Sequence, residues 1–281
     1  MRYTKAFPRT ILLHAGGRFG GYTSLGGYEV ERFARWGELL ERAARVPTST
    51  VLLLEPHGQA GSVAPEFWEV LGRFRSLTVI AAVPLSDVSS VELRRMQMAG
   101  VSEFLNLRLT HSPEMVARLA DTAFARPLKQ RVDAALSRFL PGDARALIRG
   151  AAEVAACAGS ADDLARIFGV QPPTVTKWCE ALRLPPPRRL QLWLRLLLAA
   201  QLLEDVGRSI QSAARSAGYA TDRSFRRALQ EVVGKNPREL RARGAFDAVM
   251  AAFNAELREF RGQRKHPAAL AARGAGADLA E

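Results

Sequence analysis

The chain has 281 residues, 48% hydrophobic and 24% charged, which is globular composition and excludes a mostly disordered protein. Its 40 Lys and Arg outnumber its 28 Asp and Glu, a formal net charge of +12, so an anionic partner is expected, nucleic acid foremost. No apolar run reaches the roughly 20 residues a bilayer span needs, and Met1 to Pro8 lacks the hydrophobic stretch of a signal peptide. Cys157 and Cys179 stand apart from any His or Cys at ligand spacing, which argues against a disulfide scaffold, a metal site or a cofactor anchored by thiols. A cytoplasmic protein without membrane contact is the expectation, and the length suggests two domains.

The first half alternates short apolar runs with amphipathic segments. Thr10 to Ala15, Thr50 to Leu54, Leu77 to Val83 and Val101 to Leu105 read as strands. Between and after them, 29–45, 65–75, 88–99 and 113–125 carry apolar residues at helical spacing, with Val30, Phe33, Trp36, Leu39, Leu40 and Ala43 on one face of the first. A fifth strand is suspected in the Gly-rich stretch 16–27. Strands that are apolar throughout and alternate with helices call for a small parallel sheet covered on both faces, an α/β domain over 1–126.

Catalysis finds no support in this half. The Gly16 to Gly21 run has neither the Lys of a phosphate loop nor an immediate helix. His14 and His57 each follow a strand, on the edge where such sheets take ligands, yet no nucleophile, base and orienting acid assemble around them in the sequence. No catalytic residue is therefore assigned.

The layout of 8–126 resembles the receiver domains of two-component response regulators, with a flavodoxin-like sheet. That resemblance implies an acid pair after the first strand, a phosphoacceptor Asp ending the central strand, and a Lys after the last. Here those places read His14 to Arg18, Leu54-Glu55-Pro56 and Asn106-Leu107-Arg108. Without the acids there is nothing to hold magnesium, so no phosphoacceptor is assigned and a degenerate receiver is expected. A response regulator switched by phosphorylation is the first rival reading. A nucleotide-binding protein or enzyme with a helical appendage is the second.

The second half carries the charge: residues 127–281 hold 25 Lys and Arg against 16 Asp and Glu. After a linker at 127–143, the pattern is helical. Ala144 to Ala158 is broken by Gly159 and Ser160, and Ser160 caps a short helix that stops at Gly169. Pro172 and Pro173 open the next, which continues through Leu182. A long helix, about 188–206, leads to a second short pair: Ser209 caps 210–217, Gly218-Tyr219 is the turn, and Thr221 caps 222–233, closed by Gly234 and Pro237. This is two helix-turn-helix units joined by a helix of about 28 Å, against about 34 Å between successive major-groove faces.

Residues 144–241 resemble the DNA-binding domain of AraC/XylS-family transcription regulators. The resemblance is carried by Ala200, Leu203, Ser209, Ile210, Ala213, Ala214, Gly218, Tyr219, Phe225, Gly234, Pro237 and Arg241. It implies a seven-helix bundle whose second helix in each unit reads the major groove. Mapped onto this chain, the first reading helix offers Pro172, Pro173, Thr176 and Lys177. The second offers Thr221, Asp222, Arg223, Arg226 and Arg227, with Phe225 and Leu229 turned to the core. Arg188 and Arg189, opening the linking helix, are candidates for phosphate. The family usually has Ser at the place of Gln171 and Arg at that of Lys177, and the two prolines remove side chains that donate to bases. The first unit is therefore expected to orient more than to read. Double-stranded DNA is the expected partner; a homodimer, and a small-molecule effector or protein partner at the N-terminal domain, stay open. Beyond 241, Phe246, Val249, Met250, Phe253, Leu257 and Phe260 line one face of a further helix at 242–262, and 263–281 reads as a disordered tail.

Overall fold

The computed structural model describes residues 9–14, 24–25, 27–57, 61–136 and 138–262. Its first half is a sheet of β1 (Arg9–His14), β2 (Ser24–Leu25), β3 (Tyr28–Arg32), β4 (Val51–Leu54), β5 (Thr78–Val83) and β6 (Val101–Asn106), in the order β2-β3-β1-β4-β5-β6. All pairings are parallel except the short β2–β3 one. The five parallel strands, numbered among themselves, run 2-1-3-4-5, the doubly wound flavodoxin-like order. Side-chain alternation explains why both faces are covered. Leu52 and Leu54 of β4 point into a core with α1 (Trp36–Ala43), α2 (Pro65–Arg73) and α3 (Ser90–Ala99). Val51 and Leu53 point the other way, toward Val116, Ala117 and Ala120 of α4 (Pro113–Ala123). The α/β sheet followed by an all-helical region is thus the fold class the sequence implied.

Four local readings change. Residues 28–32 are strand, not the start of a helix; Tyr28-Glu-Val-Glu-Arg32 alternates with period two and pairs with β1 from Arg9↔Tyr28 to Leu13↔Arg32. The helix begins only at Trp36. The fifth parallel strand is therefore β3, just beyond the stretch 16–27 in which a strand is suspected, while that stretch itself holds the short antiparallel β2; the Gly16 to Gly21 run lies outside the described residues. The expected linker contains α5 (Arg126–Ala135), whose Leu128 and Val132 are buried in the helical core. Pro237, read as a terminator, opens α12 (Pro237–Arg243), because Asn236 and Glu239 form a reciprocal capping box around it.

The second half packs α6 (Gly142–Ala156), α7 (Ala161–Phe168), α8 (Pro172–Ala181), α10 (Ile210–Ser216), α11 (Asp222–Val233), α12 and α13 (Ala245–Gly262) around α9 (Pro187–Glu204). Twelve of the 18 residues of α9 are buried, all round its circumference, as a central helix requires. α13 is part of this bundle: Phe253 lies 5.4 Å from Trp193, and Glu204 accepts from the Phe246 N–H (2.8 Å) at its first turn. The proposed tail at 263–281 lies outside the described residues.

The two halves meet at the end of α9. Val206 donates from its backbone to the Arg73 carbonyl (3.1 Å), and Gln201 donates to that of Arg75 (3.4 Å). Asp205 accepts from the Ser76 N–H (3.2 Å) and hydroxyl, while Arg208 donates to the Val46 carbonyl (2.9 Å). Asp205 and Arg208, 3.3 Å apart, have side chains almost wholly excluded from solvent.

Candidate nucleic-acid interface

Each helix-turn-helix unit is built by a capped short helix and a left-handed turn. In the first, Ser160 and Asp163 form a capping box at α7, and Gly169 (φ +66°) ends it. α8 then starts at Pro172, whose missing N–H costs nothing in a first turn. Val175 and Cys179 face the core, and Phe168 meets Trp178 edge to face at 5.7 Å. That arrangement leaves Pro172, Pro173, Thr176 and Lys177 together on the exposed side. Thr176 returns its hydroxyl to the Pro172 carbonyl at 3.5 Å, and Lys177 has no ion pair among the described residues.

In the second unit, Ser209 caps α10 by accepting from the Ser212 N–H (3.0 Å), and Thr221 caps α11 by accepting from the Ser224 N–H (3.1 Å). Phe225 and Leu229 are buried, with Phe225 5.3 Å from Tyr219, so the same helix must present Arg223, Arg226 and Arg227 outward. Asp222 engages Arg226 (2.9 Å) and Glu231 engages Arg227 (2.6 Å), each pair one helical turn apart. Hydrogen bonds donated to these acids raise the pKa of both guanidiniums, so the two arginines stay charged at any working pH. Such exposed pairs are weak and yield readily to a phosphate or a base edge. Arg223 has no ion pair among the described residues.

The turn between α10 and α11 depends on a residue that sequence reasoning passed over. Arg195, in the middle of α9, donates to the carbonyls of Ala217 (3.0 Å) and Gly218, and its guanidinium lies over the Tyr219 ring at 4.8 Å. Gly218 has φ +79°, and a Cβ there would come within 2.8 Å of that guanidinium. Arg241 fastens the other side, donating to the carbonyls of Leu203 (3.0 Å) and Arg208 (2.8 Å). The available signal was Arg195 itself, a charge inside an otherwise apolar helix that has to find partners.

The candidates at the start of α9 separate. Arg188 is exposed and without an ion pair among the described residues. Arg189 is held by both carboxylate oxygens of Glu256 on α13 (2.6 and 3.0 Å), which leaves it bound within the bundle.

At the far edge of the sheet, the His14 ring stacks on Trp36 at 3.8 Å and burial lowers its pKa; His57 Nε2 lies 3.3 Å from Glu92. The order β3-β1-β4 makes this the switch point of the sheet, but the histidines sit beside Trp36 and Glu92 rather than with one another. Cys157 and Cys179 are buried, and burial pushes both thiols up to about 11, far from reactive. Among the described residues no cluster of His, Cys, Asp and Glu has metal-ligand geometry, and no helix is long and apolar enough to cross a membrane.

Compared with known proteins, the chain has no match among curated ones. A family described as a helix-turn-helix domain, of the AraC type, matches residues 164–243, from within α7 to the end of α12. Residues 164–243 are thus similar to AraC-type helix-turn-helix domains, which supports DNA binding and a part in transcription regulation.

Proposed function

We propose that the protein is a sequence-specific regulator of transcription that sets α8 and α11 into adjacent major grooves of one face of duplex DNA. The observation that carries this is the arrangement of α11: its core contacts, Phe225 and Leu229, fix which side is free, and that side bears Arg223, Arg226 and Arg227. Guanidiniums in a major groove pair bidentately with guanine or hold phosphate. α9 supplies the spacing: 18 residues make about 27 Å, short of the about 34 Å between successive major-groove faces, so the two helices fit bent or slightly offset DNA. Lys177 and Thr176 on α8 have the reach for phosphate and one base edge, while Pro172 and Pro173 add contact without donors, so α8 orients and α11 reads. Arg188 adds a phosphate contact at the start of α9.

The N-terminal sheet, with His14 and Glu55 where a receiver keeps its acids, serves as a docking or sensing domain without phosphoryl chemistry. Selection of bound sites from random duplex DNA tests the reading. The expected outcome is an enriched motif in two parts about 10 base pairs apart. Recovery of no motif would contradict it.

A further inference from the structure

Between the two halves runs an open groove of about 690 Å³, walled by α1 and the end of α2 on one side and by α10 on the other. That volume is in the range of small-molecule sites, which favour domain boundaries. Its polar lining consists mainly of donors. Arg45 and Arg215 are exposed and without ion pairs among the described residues, and they face the groove from opposite domains. Arg73 gives one arm of its guanidinium to Glu69 (2.7 Å) and keeps a buried Nε without an acceptor. Ser212 and Ser216 accept from the buried Arg208, at 3.4 and 3.5 Å, which leaves their hydroxyl protons to donate elsewhere. Glu41 is the one acid among the lining residues.

A lining of guanidiniums and committed hydroxyls selects a ligand made of acceptors. We propose that this groove is a binding site for a small polar molecule carrying two acidic groups, phosphate or carboxylate, one held by Arg45 and Arg73 and the other by Arg215 with Ser212 and Ser216. Such a ligand ties the N-terminal domain to the first helix of the second helix-turn-helix unit. Its effect on DNA binding rests on the function proposed above; its binding does not.

The test uses the full chain with inorganic pyrophosphate and citrate as probes, at ionic strength matched with sodium chloride. Thermal unfolding should shift upward by a few degrees and saturate, and calorimetry should give one site per chain. Whichever probe binds names the acid. Arg45→Ala and Arg215→Ala should each weaken binding about tenfold or more and leave DNA affinity without ligand unchanged. The proposal is overturned by the absence of a saturable shift beyond the sodium chloride control, or by equal shifts in wild type and variants. It is also overturned if the two substitutions instead flatten the salt dependence of DNA binding by about 0.9 each, which would make the groove a DNA phosphate contact. Anion binding persisting in a protein that fails to bind DNA would contradict the DNA reading alone.

Discussion

At the scale of single residues, the second reading unit hangs on Arg195 and Gly218. The Arg195 guanidinium satisfies the carbonyls of Ala217 and Gly218 and covers Tyr219, so it holds the turn against the central helix. Gly218 supplies the positive φ and the missing Cβ that let it approach. Arg195→Met keeps the bulk and removes the donors; leaving part-buried carbonyls unpaired should cost about 1–3 kcal/mol. Gly218→Ala should cost at least about 1 kcal/mol through its left-handed backbone alone. Urea denaturation checks both, and an unchanged midpoint in either would remove the residue from its role. Neither partnership was legible beforehand, because a carbonyl 22 residues away leaves no trace in composition or spacing. What was legible is that Phe225 and Leu229 face inward, since a period of 3.6 residues shows in the letters themselves.

At the scale of elements, the end of α9 is where one domain grips the other. Asp205 loses solvent there, and burial pushes its carboxyl up to about 6 against the opposing pull of Ser76 and Arg208. Between its ordinary value near 4 and about 6, the folded protein holds a proton that the unfolded chain has released. This group's contribution to stability therefore falls as pH rises through that window and is constant above it. The difference in unfolding free energy, wild type minus Asp205→Asn, should fall by up to about 3 kcal/mol from pH 4 to 6.5. A flat difference would show that the carboxyl is solvated. The elements themselves were largely readable: β1, β4, β5 and β6 by apolar runs, and the helix-turn-helix pairs by caps and glycines. β3 was misread because its five residues also fit the first turn of a helical stripe. α5 was missed because two buried positions, Leu128 and Val132, are too few to stand out among charges. α12 was missed because a proline both stops and starts helices, and only its cap, Asn236 with Glu239, decides which.

At the scale of the whole molecule, a net charge of +12 draws the chain to polyanions without choosing a sequence, and in the function proposed above the choice is left to two helices set by the length of a third. The AraC-type match covers residues 164–243; the sheet that grips this region lies outside the match, and the groove between them is lined by neither α8 nor α11. The proposed division of labour between α8 and α11 is measured by repeating the random-DNA selection with variants. Arg223→Ala with Arg226→Ala should degrade one half of the recovered motif and leave the other half, about 10 base pairs away, unchanged. Lys177→Ala should lower affinity and reduce the salt slope by about 0.9 with little change in either half. Loss of both halves together in the α11 variant, or recovery of an unaltered motif, would contradict it.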